Sequence, residues 1–389
     1  MKTEKILSGR TLRAFMESEK SGGLVLIVCT FISILTANSS ISDHYLSIWD
    51  FHAGGHSAAD WINDGLMTVF FLLIGLELIQ EVHEGELSNI KRAMLPVSGA
   101  FGGMLIPAGI YMFFNFGAST HTGFGIPMAT DIAFALGILS LLGNRVPASL
   151  KVFLTALAVI DDLGAIIVIA VFYTTSLSWV NLLIALAIFI VLLVLNKKFH
   201  IKNMIPYIIG GVIMWYFMLN SGIHAAIAGV LLAITIPFTK GDIKSLSNKW
   251  QHALHYPVAF IILPLFALAN TAIVIEGRWD QSVGEPFALG ILLGLITGKP
   301  LGIILFSFIS VKSGLCSLPR NIKWKELSGV GMLGGIGFTM SIFITLLAFK
   351  GDMHYINESK LMILLASLAS GITGYIWLNY VLKKERRSL

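Results

Sequence analysis

Two adjacent carboxylates, Asp161 and Asp162, lie in the middle of an apolar run that extends from 149 to 173. An aspartate at the centre of a membrane helix costs roughly 2.5 to 3.5 kcal/mol on insertion scales, and such residues mark ion paths, proton relays or buried pairs. Two of them side by side are difficult to explain by packing. Carboxylates bind hard cations and also take up protons, so this pair is the first candidate for a functional site.

Two further charged residues fall at a similar depth. Asp131 lies about eight residues into the apolar run 123–142, and Lys299 lies about twelve residues into the run 287–310. At a rise of about 1.5 Å per residue, both are near the bilayer midplane, as are the adjacent aspartates. Three carboxylates and one ammonium at one depth indicate a shared site, because pairing makes buried charges tolerable.

Successive residues of a helix point about 100° apart, so Asp161 and Asp162 cannot both face one partner equally. We expect one of them to pair with Lys299 and the other to face an aqueous cavity. Oxygen ligands suit a hard monovalent ion such as Na⁺ or Li⁺, whereas burial and mutual repulsion favour the protonated carboxylate. The sequence therefore predicts that Na⁺ and protons compete for Asp161 and Asp162, which gives ion exchange.

The composition is that of a polytopic membrane protein: 56% of the 389 residues are hydrophobic and 13% are charged, and the mean hydropathy is +0.81. Residues 1–389 are predicted to form one membrane unit without an appended soluble domain. Twelve apolar runs are predicted to be transmembrane helices: 22–37, 60–80, 94–115, 123–142, 149–173, 180–196, 204–218, 223–237, 254–272, 287–310, 328–348 and 358–381.

The distribution of Lys and Arg predicts the orientation. With both termini in the cytoplasm, 23 of the 27 basic residues lie on the cytoplasmic side, which is the side where such residues are enriched. Three lie outside, Arg278, Lys350 and Lys360, and the last is Lys299 within its run. The net charge of +5 is therefore a signal of topology, and we do not expect nucleic-acid binding.

The fourth and eleventh runs contain helix-breaking residues. Gly123, Gly125 and Pro127 interrupt the fourth, and five glycines between 329 and 337 interrupt the eleventh. Each is the middle run of a triplet, and the odd spacing of seven runs makes the triplets 3–5 and 10–12 inverted repeats. Such paired interruptions indicate a transporter site. Close packing of small residues is the plain alternative.

Four segments then occur in combination: GIPMATDIAFALG (125–137), AVIDDLGA (158–165), TGKP (297–300) and GGIGFTMS (334–341). With them the chain resembles the NhaA sodium/proton antiporters of bacteria over nearly its whole length. The resemblance implies an all-α fold of twelve transmembrane helices in which the broken fourth and eleventh helices cross. It implies a transport core from about 94–173 and 287–381, and a flatter dimerisation panel from about 22–80 and 223–272.

The same resemblance implies electrogenic Na⁺(Li⁺)/H⁺ antiport by alternating access, which exports sodium for pH and sodium homeostasis from the bacterial inner membrane. Such a protein is not an enzyme and has no cofactor beyond its substrate ions. Asp161 and Asp162 would carry the cation and the proton, while Lys299 would pair with Asp161 and, with Asp131, compensate charge. The residues implied at the helix crossing are Thr130, Asp131 and Gly337. For Asp131, balancing the dipoles of half-helix amino termini is an open alternative.

A cytoplasmic cluster that sets alkaline activation in the family maps onto Glu77, Glu81, His252 and His255. Two neighbours depart from the family pattern, because Gln80 stands in place of an Arg and Gln251 in place of a Glu. These changes remove charge, so the pH profile is not carried over. From the residues alone, the two glutamates equally fit a solvated helix end. The two histidines lack a third ligand and do not predict a metal site.

The segment 38–59 is the longest predicted outer connection and contains no Lys or Arg. It predicts a small hairpin, and an exposed hairpin favours self-association because it is only marginally stable alone. The resemblance likewise implies a homodimer through this segment, within membrane lipid. The residues expected in the hairpin are Tyr45, Ile48, Trp49 and Phe51, followed by a turn at Gly54 and Gly55.

Three other functions compete with ion exchange. Sodium-coupled symport of an organic solute could use a similar core, although Lys299 argues mildly against it. An intramembrane enzyme with paired aspartates is disfavoured, because Leu163, Gly164 and Ala165 follow the pair and provide no further ligand. An ion channel is disfavoured because no repeated filter or charged ring is present.

Overall fold

The computed structural model describes residues 21–174, 177–242, 245–275, 282–319 and 322–386. Several basic residues that entered the orientation prediction lie outside the described residues: those before residue 21, and Lys244, Arg278, Arg320 and Arg387.

The described chain is mostly helical, and the helices are numbered here in chain order: α1 Ser21–Ala37, α2 Ser42–Trp49, α3 Ala58–His83, α4 Ile90–Asn115, α5 Ile132–Leu141, α6 Ala148–Phe172, α7 Trp179–Lys197, α8 Ile205–Leu219, α9 Ile227–Thr235, α10 Leu246–Asn270, α11 Pro286–Lys312, α12 Trp324–Gly334, α13 Phe338–Ala348 and α14 Met353–Arg386. Single π turns widen three of the long helices: Trp61–Leu66 in α3, Val258–Ile262 in α10 and Gly294–Gly298 in α11. Short 3₁₀ helices are Glu86–Ser88, Ser119–Met128 and Gly143–Arg145.

Seven helices of the described chain are long and apolar enough to cross a membrane: α3, α4, α6, α7, α10, α11 and α14. The number rises to as many as nine if each of two bent pairs counts as one span. The apolar helices α1 and α8 are shorter, with 17 and 15 residues, and α9 has 9. All twelve predicted runs overlap helical segments, but length and composition bear out only seven to nine spans.

The two bent pairs coincide with the interrupted fourth and eleventh runs. The 3₁₀ segment Ser119–Met128 meets α5 at 43°, and α12 meets α13 at 44°. In the fourth run the chain is extended at 129–131, after the glycines and the proline, which lie within the 3₁₀ segment. The backbone N–H of Asp131 donates to the carbonyl of Ile336 at 2.6 Å, so the two interruptions satisfy each other's freed backbone groups.

Glycines allow α4 and α11 to approach closely. A methyl group at Gly102 would overlap the backbone of Gly302, and the reverse also holds. Small residues at such contacts are a common device of membrane helices, where packing rather than the hydrophobic effect drives association. At the next residue of α4, a methyl group on Gly103 would lie 3.9 Å from the side chain of Lys299, so this contact positions the predicted site.

The predicted hairpin is present but is shorter than expected. His52–Ala53 pairs antiparallel with His56–Ser57, and the connecting Gly54 and Gly55 have φ values of 63° and 86°. A two-residue hairpin loop with both φ angles positive strongly favours glycine. The preceding aromatic residues were assigned wrongly, because Tyr45 and Trp49 belong to α2. Their rings lie 5.8 Å apart, one helical turn along the chain.

The close approach of α4 and α11 gives a stability prediction. We expect Gly102→Ala to destabilise the protein by about 1 to 3 kcal/mol, because the methyl group meets backbone that cannot move away. Gly109 lies on the same helix with no atom near an added methyl group, so Gly109→Ala is the matched control. Thermal unfolding of both purified variants in detergent measures the difference. Equal melting temperatures would contradict the close approach.

Candidate functional site

The centre of the site is an ion pair between α6 and α11. Lys299 Nζ lies 2.6 Å from Asp161 Oδ2, and both side chains are fully buried. The ammonium also donates to the carbonyl of Met128. The hydroxyl of Thr130 lies 2.7 Å from the same Asp161 oxygen and 2.9 Å from the carbonyl of Gly334, and its single proton can serve only one of them at a time.

Two of the residues around Lys299 lie at the ends of helices. Met128 is the last residue of the 3₁₀ segment, and its carbonyl is free to accept because the helix stops there. The aliphatic stem of Lys299 runs past Gly334, the last residue of α12, where an added methyl group would lie 3.9 Å from it. The ammonium therefore lies near the carboxyl ends of two half-helices, which carry partial negative charge.

Asp131 lies beside helix amino ends, the opposite of the helix ends around Lys299. It is the N-cap of α5, where its Oδ1 accepts from the backbone N–H of Phe134 at 2.9 Å. Its Oδ2 accepts from the backbone N–H of Thr339 at 3.1 Å and from the Thr339 hydroxyl at 2.7 Å. The carboxylate thus faces the positive amino ends of α5 and α13. Neither a hydrogen bond nor a salt bridge joins Asp131 to Lys299 among the described residues.

The carboxylates of α6 have unused oxygens. Asp161 Oδ1 and Asp162 Oδ1 are buried and have no hydrogen-bond partner among the described residues. Buried polar atoms are nearly always bonded, and a carboxylate oxygen is expensive to leave alone. Two such oxygens on successive residues form a donor set that suits a small hard cation.

A cavity of about 490 Å³ approaches Asp162 from the end of α3. Ile132, Ala133, Thr155 and Val159 lie at its inner end, and Asp162 follows Val159 by one helical turn. Its mouth contains several polar residues: Glu77, Gln80, Glu81, Glu84, Gln251 and His255.

Of the four predicted pH-sensing residues, Glu77, Glu81 and His255 line this cavity and His252 does not. Glu81 is held in place, since its Oε1 accepts from the backbone N–H of Glu86 at 2.8 Å. Gln80 and Gln251, which replace charged residues of the family pattern, also line the cavity. The wall of the cavity therefore carries less charge than that pattern would give it.

Two contacts were missed by the sequence analysis. Asp64 Oδ1 lies 3.2 Å from His224 Nε2, while His224 Nδ1 accepts from the backbone N–H of Ala226 at 3.2 Å. The sequence did contain a sign of the first contact, because Asp64 is a carboxylate four residues inside the apolar run 60–80. Thr339 was also missed as the partner of Asp131, although it lies in the quoted segment 334–341.

The buried ion pair gives a second stability prediction. We expect Lys299→Ala to destabilise the protein by about 3 to 5 kcal/mol, because it leaves Asp161 unpaired at depth. The exposed Lys312 of the same helix provides the control variant Lys312→Ala. The double variant Lys299→Met with Asp161→Leu should recover most of the melting temperature, since both charges are removed. An unchanged melting temperature in Lys299→Ala would refute a stabilising pair.

Residues 13–378 match the family described as Na⁺/H⁺ antiporter 1. Na(+)/H(+) antiporter NhaA 1 of Flavobacterium johnsoniae is 64% identical over 379 residues, which cover 97% of this chain and 99% of that protein. Na(+)/H(+) antiporter NhaA of Cytophaga hutchinsonii is 58% identical, with 95% of each chain covered. The namesake from Dechloromonas aromatica is 55% identical, with 97% of this chain and 98% of that protein covered.

Among solved structures, the sodium proton antiporter MjNhaP1 of Methanocaldococcus jannaschii is similar, with a TM-score of 0.48 and 15% identity. The similarity covers 93% of this chain and 89% of that one. It is too distant to bear on the site. The family match and the identities with full-length relatives have a direct consequence: this multi-pass membrane protein belongs to the Na⁺/H⁺ antiporter 1 family.

Proposed function

We propose that this protein is an Na⁺(Li⁺)/H⁺ antiporter that exports Na⁺ across the cytoplasmic membrane of a bacterium and contributes to sodium and pH homeostasis. The observation that carries the proposal is the pair of unbonded carboxylate oxygens on Asp161 and Asp162, beside the Lys299 ion pair. Relatives named for antiport support it. They give no support to sodium-coupled symport of an organic solute.

The cation enters through the cavity below Asp162 and binds between the free oxygens of Asp161 and Asp162. Asp161 then contacts both the cation and Lys299. The Asp161–Lys299 ion pair is weakened, because one carboxylate now faces two positive charges. A proton held by Asp162 must leave when Na⁺ arrives, since the buried carboxylate accepts one or the other. If the entering cation displaced only that proton, the charge of the site would be unchanged. Electrogenic exchange requires a second proton, which Lys299 can supply.

Alternating access would use the two interrupted runs. We assign residues of about 94–173 and 287–381 to the moving core, and residues of about 22–80 and 223–272 to a static panel. Helices α7 and α8 fall outside both ranges and pack with α3 and α9 in an apolar cluster of their own. Twelve spans, cytoplasmic termini and a homodimer through 38–59 complete the proposed architecture, in which the hairpin strands offer edges for pairing.

The acidic mouth of the cavity would attract cations and sense pH. Glu77 and Glu81 raise the local cation concentration, because like charges in a cleft focus the field. Together with His252 and His255 they form the proposed regulatory cluster, which Gln80 and Gln251 leave less charged than in the family pattern.

The test replaces the carboxylate that faces the cavity. We expect Asp162→Asn to abolish Na⁺-induced dissipation of a respiratory pH gradient in everted vesicles from a host without its own antiporters. The amide is nearly isosteric but cannot bind the cation with a full charge or release a proton. Asp352→Asn, at an exposed position just before α14, is the control. Full activity of Asp162→Asn with a normally inserted protein would contradict the site assignment.

A further inference from the structure

A second cavity, of about 600 Å³, lies between the beginnings of α4 and α6. Its wall is completed by residues 317–319, in the connection that follows α11. The orientation predicted from Lys and Arg places all three segments at the cytoplasmic face. The lining shares no residue with the acidic cavity and includes neither Lys299 nor an aspartate of α6. The proposed ion exchange therefore gives this cavity no role.

The charged side chains of the second cavity are Lys91, Arg92 and Glu86. Lys91 and Arg92 are exposed, and neither forms a salt bridge with a described carboxylate. Both lie in the first turn of α4, which begins at Ile90. A cation at a helix amino end faces the positive end of the helix dipole, so this position is unfavourable unless an anion lies nearby. The two cations outnumber the one carboxylate, and the cavity has a net positive charge.

The amino end of α6 makes the cavity still more positive. Its N-cap is Pro147, which provides no side-chain acceptor, and its first turn contains no acidic residue. The first two N–H groups of the helix, those of Ala148 and Ser149, have no partner among the described residues. Both residues line the cavity. Unpaired N–H groups at the start of a long helix form an arrangement that binds anions.

The hydroxyl of Ser149 is an independent sign of a ligand. Its Oγ is buried in the cavity wall and has no hydrogen-bond partner among the described residues. Buried hydroxyls are nearly always bonded, so this one indicates a polar group that occupies the cavity. A hydroxyl, two backbone N–H groups, an ammonium and a guanidinium are all donors, and a phosphate group offers acceptor oxygens to each of them.

The cavity also borders the lipid-facing side of α6. Val152 lies in its wall and is 40% exposed. Ile167 and Val171, which point within about 100° of Val152, are 55% and 65% exposed. Because α6 is long and apolar enough to span the membrane, exposed aliphatic side chains on it face lipid tails. A molecule with a phosphate group in the cavity could therefore extend its apolar part along α6.

We propose that this cavity binds the phosphate group of an anionic phospholipid from the cytoplasmic leaflet. Lys91, Arg92, the Ser149 hydroxyl and the first N–H groups of α6 are its ligands, and the lipid supplies the cap that Pro147 does not. Basic pockets between membrane helices on the cytoplasmic side recognise anionic headgroups in this way. An anionic lipid is preferred to a zwitterionic one, because the headgroup of the latter brings a cation of its own toward Lys91 and Arg92.

The first experiment measures the melting temperature of the purified protein in detergent micelles against increasing phosphatidylglycerol. We expect a saturable rise, because a ligand that binds only the folded state stabilises it. Phosphatidylcholine, which has no net charge, and glycerol 3-phosphate, which has no acyl chains, should have little effect at the same concentrations. An equal rise with phosphatidylcholine would overturn the preference for an anionic lipid. An equal rise with glycerol 3-phosphate would assign the cavity to a soluble phosphate and overturn the lipid assignment.

A double variant locates the binding. Lys91→Ala with Arg92→Ala should raise the half-saturating concentration of phosphatidylglycerol about a hundredfold, a factor of about ten for each lost hydrogen bond from a charged donor. The matched control is Lys383→Ala with Lys384→Ala, which removes another adjacent pair of exposed cations, at the end of α14. Equal losses in the two double variants would show general attraction of lipid to basic surface and would contradict a site in this cavity.

A further variant replaces the bound phosphate by a carboxylate. Ser149→Asp places a negative charge at the second position of α6, where it interacts favourably with the helix dipole. We expect it to melt at or above the temperature of the wild type without lipid and to lose the rise caused by phosphatidylglycerol. Ser149→Asn, which is similar in size but neutral, should keep that rise. A full response of Ser149→Asp to the lipid would refute the proposal. These measurements involve no ion flux, so their outcome is independent of the proposed exchange.

Discussion

A buried ion pair sets the conditions that the rest of this structure has to meet. Lys299 and Asp161 are fully enclosed, and an ammonium at that depth is tolerable only with a carboxylate and further acceptors at hydrogen-bond distance. The carbonyl of Met128 accepts from the ammonium, and the hydroxyl of Thr130 lies at hydrogen-bond distance from the carboxylate of Asp161. Both belong to the chain around one helix interruption, so the pair depends on that interruption. The pair also needs α4 and α11 to approach to the distance that glycines permit.

The two interruptions act as an electrostatic frame. The carboxyl ends of the 3₁₀ segment and α12 face Lys299, and the amino ends of α5 and α13 face Asp131. Each fixed charge thus lies against backbone dipoles of opposite sign. Such a frame needs no additional ionised residues, which the bilayer would make expensive. It leaves the free oxygens of Asp161 and Asp162 as the adjustable part of the site.

Helix α6 presents its two aspartates to different surroundings. The face of α6 that carries Thr155 and Val159 borders a cavity with several carboxylates at its mouth. Asp161 and Asp162, at successive positions, point about 100° apart and therefore address different sides. The two identical side chains therefore have different neighbours. Asp161 pairs with Lys299, and Asp162 lies next to the cavity with the acidic mouth.

The sequence by itself determined the class of protein. Helical rise along the apolar runs predicted one common depth for Asp131, Asp161, Asp162 and Lys299, because the distance of a residue from its helix end depends only on local periodicity. The hydrogen-bond and ion-pair partners of these residues depended on contacts between segments distant in sequence, which local periodicity does not determine. Only the tertiary structure showed that Asp131 accepts hydrogen bonds from helix amino termini and does not pair with Lys299. It also showed that Asp64 contacts His224. It also placed Tyr45 and Trp49 on a helix, where an i, i+4 ring contact replaced the expected strand.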